Sequence, residues 1–357
     1  MAIFRKAERE RESLKMAIAG PAGSGKTHSA LKIAEGLAGG GKIFVADTEN
    51  SRASLETEKS GIPEFFIAPV SPPYKPETFI EIMDHALKEG ANVLIIDTLS
   101  HEWEGDGGIL EQKEALEAAR PNVNSWANWA RVMPPHNRLR NRILAYPIHL
   151  IVTLRTKTDW VVDGKNPVKV GLKPLQREGV EYDFIIVMNL DQESHNARIS
   201  KDSTSLFDGR GEFTPDQETG ERIFEWLNKG AGLSPLEKHE ASIQKLERVG
   251  AELDKIENLD ALTDWFKANE VEIRDTLLPD HWEEFLGRCK ELRMSFKSRK
   301  WLEWAENTMM KIDNERDLRE WRKRNEKNIM VSLAGEDRDQ FEQLLDDRRF
   351  DLKTKAA

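Results

Sequence analysis

The chain has 357 residues, of which 39% are hydrophobic and 32% charged, and its formal net charge is −10. This balance is typical of a soluble globular protein and excludes wholesale disorder, and the length allows a full α/β core with a second module. An acidic chain is unusual for a protein that coats duplex DNA with a broad basic face, whereas a local groove for a single strand needs only a few cations. The one cysteine, Cys289, excludes a disulfide framework and a cysteine-type zinc site.

Two features argue against a membrane protein. The longest apolar candidate, residues 143–154, is interrupted by Pro147 and His149 and falls short of the ~20 residues that cross a bilayer. The first 15 residues are charged rather than apolar, which is not the pattern of a secretory signal. We therefore expect no membrane partner and a cytoplasmic location.

Short apolar runs alternate with helical stretches through the first two-thirds of the chain. Runs that are apolar at nearly every position, alternating with helices, favour a mostly parallel, doubly wound α/β sheet. A hairpin over 159–170 is predicted to turn at Asp163-Gly164. The predicted elements, in chain order, are a strand at 14–19, a helix at 26–37, a turn at 39–41, a strand at 42–46, a helix at 76–88, and strands at 92–96, 148–154 and 183–190.

The glycine-rich break at 230–232 is the predicted end of this domain, so that the domains are residues 1–232 and an all-α region at 233–357. The second region has helical periodicity and many charges, and it repeats at an offset of 56 residues, which predicts two repeats at about 246–293 and 302–349. Identical pairs at this offset include Leu246 and Leu302, Trp265 and Trp321, and Arg293 and Arg349. The five tryptophans from Trp265 onward are interpreted as core residues; stacking on nucleic-acid bases would require them to be exposed.

A phosphate-binding loop, the Walker A pattern G-x-x-x-x-G-K-[ST], lies between the first predicted strand and the first predicted helix. Its glycines allow the backbone amides to approach phosphates, Lys26 is expected beside the β- and γ-phosphates, and the Thr27 hydroxyl is expected to bind Mg²⁺. A glycine-rich turn with an incidental Lys-Thr pair is the weaker alternative, because it does not explain the position between a strand and a helix. The predicted ATP-binding residues are Gly20, Pro21, Ala22, Gly23, Ser24, Gly25, Lys26, Thr27 and His28.

Two carboxylates complete the predicted catalytic set with Lys26. Asp97 follows the apolar run 93–96, as a Walker B acid would, and is expected to hold the Mg²⁺ site together with Thr27. Glu49 follows the strand at 43–46 and could orient or deprotonate the attacking water. The alternatives are an ordinary strand-ending acid at Asp97 and a solvated loop acid that caps the next helix at Glu49.

The order of the strand ends, Asp47-Thr48-Glu49, Asp97-Thr98-Leu99-Ser100 and Val152-Thr153-Leu154-Arg155, resembles the RecA-like recombinase core. The chain is more closely similar to phage-encoded minimal RecA-like ATPases, some of which assist single-strand annealing and recombination. The resemblance covers about residues 14–227 and rests further on segments 97–105, 149–157, 177–184 and 200–202. It implies a RecA-like P-loop NTPase core, ATP hydrolysis with Mg²⁺, nucleic acid as partner with single-stranded DNA favoured, and a homo-oligomeric ring or filament.

The resemblance also implies roles for individual residues. Glu49 corresponds to the glutamate that orients the attacking water. Thr153 falls where such proteins usually carry a γ-phosphate-sensing glutamine. Ser203 stands where the family often has an arginine, so other cations are candidates to reach across a subunit interface. The candidate sensor and DNA-loop residues are Thr153, Arg155, Lys157 and Trp160, and the candidate trans-acting cations are Arg177, Arg198 and Lys201.

Three functions are open at this stage. The favoured one is a DNA-dependent ATPase of recombination, single-strand annealing or replication in a phage or prophage. Cations interleaved with Trp160 in the predicted hairpin suit a single-stranded groove, although a solvated hairpin with a packing tryptophan has the same pattern. The alternative is an ATP-driven assembly or signalling switch that recruits a protein partner through the helical repeats, without DNA. A small-molecule kinase fits less well, because it would need an acceptor pocket and an arginine-bearing lid.

Overall fold

The computed structural model describes residue 4 and residues 6–163, 166–333 and 336–356, with side chains described outside 158–172 and 355–356. The chain forms two compact units, Met1–Glu237 and Lys238–Ala357. Within the described residues, no helix combines the length and the apolar character that a membrane span requires.

A mixed sheet of eight strands lies at the centre of the first unit. The strands are β1 (Lys15–Gly20), β2 (Lys42–Asp47), β3 (Phe66–Pro69), β4 (Ala91–Asp97), β5 (His149–Asp163), β6 (Asn166–Pro174), β7 (Ile186–Leu190) and β8 (Ala197–Asp202). Their order is β3-β2-β4-β5-β1-β7-β8, with β6 paired to β5. The pairings are parallel except those of β5 with β6 and of β7 with β8.

The helices of the first unit connect and cover these strands. They are α1 (Lys26–Ala38), α2 (Pro76–Lys88), α3 (Ser100–Glu104), α4 (Ile109–Ala119), α5 (Ser125–Ala145) and α6 (Gln217–Asn228). Two short 3₁₀ helices, Arg52–Glu58 and Val180–Asp183, lie in connections. The helix α7 (Pro235–Leu253) follows.

Both faces of the sheet are buried, which explains the nearly continuous apolar strands. On β1, Met16 and Ile18 face a core formed with α1 and α6, while Ala17 and Ala19 face a second core formed with α2 and α5. The parallel register places Gly20 opposite Arg155 and Asp47 opposite Asp97. The carboxyl ends of β1, β2 and β4 therefore meet at one edge, together with Arg155 of β5.

The predicted fold class is confirmed: a mostly parallel P-loop sheet is followed by a helical region. The helix predicted at 76–88 has those bounds. The strand predicted at 183–190 is wrong at its start, because Gly179 adopts a left-handed conformation (φ +86°) and begins a 3₁₀ turn, so that β7 starts only at Ile186. The edge strands β3 and β8 were not predicted. The hairpin is longer than predicted, since β5 and β6 pair from Thr156 and Pro174 onward; Gly164 of the predicted turn lies outside the described residues.

The C-terminal unit is helical, with α8 (Leu259–Thr276), α9 (Pro279–Met309), α10 (Glu315–Ser332) and α11 (Glu336–Ala356). Both ends of α10 lie 56 residues after those of α8, and the side chains of Asn258 and Asn314 cap the two helices in the same way. One core contains Phe285 and another Phe341. Four of the tryptophans pack against these cores, whereas Trp304 is 47% exposed. These equivalences support the repeats, whose boundaries stay a prediction.

Candidate functional site

A cavity of about 460 Å³ opens where the carboxyl ends of β1, β2 and β4 meet. Nine of the predicted site residues line it, namely Ala22, Gly23, Gly25, Lys26, Thr27, His28, Glu49, Asp97 and Arg155. Arg52, Glu56, Lys59, Thr156 and Leu175 also line it and were not predicted. Arg52 and Glu56 belong to the 3₁₀ helix after β2, and Lys59 directly follows it. The sequence signal for these three residues is their position shortly after Glu49.

The conformation of the phosphate loop depends on its glycines and on hydrogen bonds within the loop. Gly23 and Gly25 have φ values of +77° and +82°, which other residues rarely adopt, and a Cβ on Gly20 would lie 2.5 Å from Ser24 Oγ. The Ser24 hydroxyl and the Lys26 ammonium both donate to the carbonyl of Pro21, at 2.9 Å each. The positive charge of Lys26 is thereby held within the loop.

The N-terminus of α1 faces this cavity. Its N-cap is Gly25, and no described side chain caps the helix. The amides of its first turn are thus available, and the helix dipole adds partial positive charge at the same place. An anion at this end would take up the amides, so the loop fits the phosphates of a nucleotide.

Asp97 lies at the floor of the cavity with only 3% of its surface exposed. Thr27 Oγ1 donates to Asp97 Oδ2 at 2.6 Å, and Thr153 Oγ1 donates to Asp97 Oδ1. Burial raises the pKa of Asp97, and the two hydrogen bonds oppose that rise. A threonine hydroxyl beside a carboxylate is an oxygen donor set that Mg²⁺ prefers, so these residues fit the ion.

Burial also lowers the pKa of Lys26, and the charges of Asp97 and Glu49 oppose that shift. Lys26 is therefore held between attraction to two carboxylates and the cost of losing water. A triphosphate would add negative charge next to it and favour its charged form.

Glu49 is positioned by the strand end before it. Asp47, which is fully buried, accepts hydrogen bonds from the amides of Glu49 and Ala53, at 2.6 and 2.8 Å. The Glu49 side chain pairs with Arg155, with 22% and 39% of the two side chains exposed. Arg155 thus belongs to the cavity wall, whereas the resemblance placed it at the start of a DNA-contacting loop.

Hydrogen bonds join Thr48, Thr98 and His101, which are close in sequence to Glu49 and Asp97. The Thr48 hydroxyl accepts from the amide of Thr98 at 2.8 Å and is 2.7 Å from His101 Nδ1. The His101 ring stacks on Tyr74, with centroids 4.8 Å apart. Burial, and then the charge of Arg155, lowers the pKa of His101, which favours a neutral ring. These contacts of His101 were not predicted from the sequence.

Glu102, the acid next to His101, is held by contacts within the protein. Glu102 is fully buried and contacts His136 Nδ1 at 2.9 Å and Gln176 Nε2 at 3.2 Å. Among the described residues, no group of three or more His, Cys, Asp or Glu side chains is arranged to hold a metal ion.

The three candidate trans-acting cations lie apart from the cavity. Arg177 donates to Asn137 at 3.4 Å, and Arg198 is exposed on β8. Lys201 donates to the carbonyls of Glu181 and Tyr182, at 3.2 and 2.9 Å. None of the three lines the phosphate cavity within the same chain.

The predicted DNA-loop residues divide between the cavity and the hairpin. Arg155 lines the cavity and Thr153 is buried against Asp97, while Lys157 is exposed on β5 directly opposite Lys173 of β6. The backbone of Trp160 continues β5, and its side chain lies outside the described residues.

Comparison with known proteins agrees with this geometry. A comparison with curated proteins gave no match. Residues 12–225, more than half of the chain, match the family described as AAA domain, a P-loop ATPase type. The matched segment contains the whole cavity, from the phosphate loop to Leu175. The chain therefore belongs to the AAA-domain family.

Proposed function

We propose that this protein is a Mg²⁺-dependent ATPase that acts on single-stranded DNA in recombination, annealing or replication of a phage or prophage. The observation that carries the proposal is the meeting of Lys26, Thr27, Asp97 and Glu49 in one cavity at the N-terminus of α1. Phosphoryl transfer needs positioned phosphates, neutralised charge and an oriented water, and these residue types supply each of the three.

Binding and charge neutralisation fall to the phosphate loop. The free amides of α1 and Lys26 would hold the phosphates, and Lys26 would balance the charge that develops on the leaving oxygen. Thr27 and Asp97 would hold Mg²⁺, which supplies further positive charge to the phosphates when bound. The hydrogen bonds from Thr27 and Thr153 hold the Asp97 carboxylate beside the Thr27 hydroxyl, which supports this role.

Water activation falls to Glu49. Its backbone is fixed by Asp47, and its side chain lies at the cavity wall next to Arg155. A carboxylate there can orient a water or accept its proton, as general-base catalysis requires. Arg155, which pairs with Glu49 in the structure, could instead pair with a phosphate oxygen of the nucleotide. It would then also neutralise phosphate charge.

Support for single-stranded DNA comes from the hairpin. The strand β5 runs from Arg155 at the cavity into the paired region with β6. There Lys157 lies directly opposite Lys173, and like charges in that position are unfavourable unless an anion lies nearby. Lys173 has a glutamate neighbour at 3.5 Å, whereas Lys157 has no ion-pair partner among the described side chains. A phosphate backbone along the hairpin would neutralise both.

We further propose that the protein works as a homo-oligomer, a ring or a filament, in which Arg177, Arg198 or Lys201 reaches the cavity of a neighbouring subunit. Their position outside their own cavity is compatible with that role. Each would be changed singly to alanine. A turnover rate unchanged in all three variants would remove the trans-acting cation from the proposal.

The test is ATP hydrolysis with and without oligothymidylate. We expect single-stranded DNA to stimulate turnover, and Lys26→Ala to abolish both the basal and the stimulated rates. Lys157→Glu is expected to reduce the stimulation, whereas Lys88→Glu, a charge reversal on the exposed end of α2, leaves it intact. Turnover that is indifferent to DNA would favour the alternative function, an ATP-driven assembly or signalling switch that recruits a protein through the helical repeats.

A further inference from the structure

An apolar cavity of about 330 Å³ lies between α8 and α9 in the C-terminal unit. Leu262 and Cys289 are buried in it, Phe266 is half-buried, and Leu286 is 37% exposed. The volume is at the small end of the ~300–1,000 Å³ range of ligand sites. It suits one bulky apolar side chain.

Three cations line the same cavity: Lys267 on α8, and Lys290 and Arg293 on α9. All three are exposed, and within the described residues none of them is paired with a carboxylate. Two other cations of this unit, Lys245 and Arg288, are paired with Glu272 and Asp254. The cavity thus combines an apolar interior with uncompensated positive charge.

The second repeat shows how the same position can be closed. At the 56-residue offset, Phe266 and Leu286 correspond to Arg322 and Glu342, which form an ion pair with N–O distances of 2.9 and 3.1 Å. Lys290 corresponds to Asp346, which pairs with Arg349 at 3.0 Å. Both repeats nevertheless build a core around an equivalent phenylalanine. The apolar opening and Lys290 are therefore particular to the first repeat, whereas Lys267 and Arg293 have cationic counterparts, Lys323 and Arg349, in the second.

We propose that this cavity docks a peptide segment of a partner protein, in which one bulky apolar side chain is flanked by carboxylates. The apolar side chain would fill the cavity and contribute most of the affinity, as buried anchors do at interfaces. The carboxylates would pair with Lys267, Lys290 and Arg293, which gives specificity and faster association. The inference goes beyond ATP hydrolysis, since every residue it uses belongs to the C-terminal unit.

The test is fluorescence anisotropy with the whole 357-residue chain and a labelled peptide that carries a single Phe between Asp and Glu residues. Two further peptides replace the Phe by Ala, or the acids by Ser, and oligothymidylate serves as a nucleic-acid competitor. We expect saturable binding that weakens with salt, and at least about tenfold weaker binding of either changed peptide.

Variants taken from the second repeat locate the site. Leu286→Glu and Lys290→Asp each introduce the residue found 56 positions later, on exposed positions of α9, and each is expected to weaken peptide binding about tenfold or more. Lys323→Glu is the matched control, because Lys323 is the exposed counterpart of Lys267 in the second repeat; binding should be unchanged. Circular dichroism would verify that each variant keeps its helices.

Three results would overturn the proposal. The first is no binding of the acidic peptide, and the second is equal binding of the peptide with Ala in place of Phe. The third is displacement of the peptide by oligothymidylate, together with weaker oligothymidylate binding in Lys290→Asp. The last would assign the cations to nucleic acid. Binding is measured without ATP, so a failure here is distinguishable from a failure of the proposed ATPase function.

Discussion

Arg155 donates two hydrogen bonds to a single oxygen of Glu49, from Nε at 2.9 Å and from Nη2 at 2.7 Å. Both side chains line the phosphate cavity. A phosphate in the cavity would therefore compete with Glu49 for Arg155, and the carboxylate would be released toward the water that it is proposed to orient. This relationship would link nucleotide binding to the carboxylate that we propose as catalytic.

Glu49→Gln is the first prediction. The variant should bind ATP with near wild-type affinity, while turnover falls by about 10²–10⁴-fold, because an amide cannot accept the proton of the water. Glu56→Gln is the matched control, since Glu56 lines the same cavity but pairs with Lys59, and its turnover should change much less. Wild-type turnover of Glu49→Gln would remove Glu49 from the mechanism.

Arg155→Ala should separate stability from activity. Since the ion pair with Glu49 is partly exposed, its loss should lower the free energy of unfolding by no more than about 1 kcal/mol. Turnover should fall at least about tenfold, because a cation at the phosphates is lost. Arg142→Ala breaks the ion pair with Asp84, outside the cavity, and should leave turnover intact. Equal turnover of the two variants would contradict a role for Arg155 at the phosphates.

Thr153→Val removes a hydrogen bond that lowers the pKa of Asp97. The pKa of Asp97 should therefore rise further, so that the acid side of the pH–rate profile moves to higher pH and more Mg²⁺ is needed for half-maximal turnover. Thr204→Val removes a similar threonine–aspartate hydrogen bond, to Asp202 on β8, and serves as the control. A Mg²⁺ dependence and a pH profile identical to wild type would argue against Asp97 as the metal-side acid.

His149 predicts a pH dependence of stability. Burial, followed by the charge of Lys15, lowers the pKa of His149 to about 4, and its Nδ1 accepts from the amide of Leu14 at 3.1 Å. The unfolded chain takes up this proton at a pH near 6.5 and the folded chain only near 4, so the free energy of unfolding should fall as pH drops between these values. The slope contributed is up to about 1.4 kcal/mol per pH unit.

Urea unfolding of wild type and His149→Gln over that pH range checks this expectation. In the variant, the free energy of unfolding should depend less on pH by about this amount, whatever its value at neutral pH. The same slope in both proteins would show that His149 does not remain neutral in the folded chain.

The sequence was informative where local chemistry determines structure. The phosphate loop could be predicted because its glycines, lysine and threonine act within one turn, and α2 because Pro76 begins it. The ion pair of Glu49 with Arg155 could not, because its residues are 106 positions apart and meet only through the sheet register. The edge strand β3 was missed because its apolar run is only four residues long and ends at Pro69.

Mg·ATP binding and turnover, compared between wild type and Lys26→Ala, test the central claim most directly. Wild type should bind Mg·ATP and hydrolyse it, and the variant should lose turnover by at least about a hundredfold, because charge neutralisation at the phosphates is lost. A wild-type protein that does not bind Mg·ATP, or a variant that hydrolyses it at the wild-type rate, would contradict the assignment of this cavity to the nucleotide.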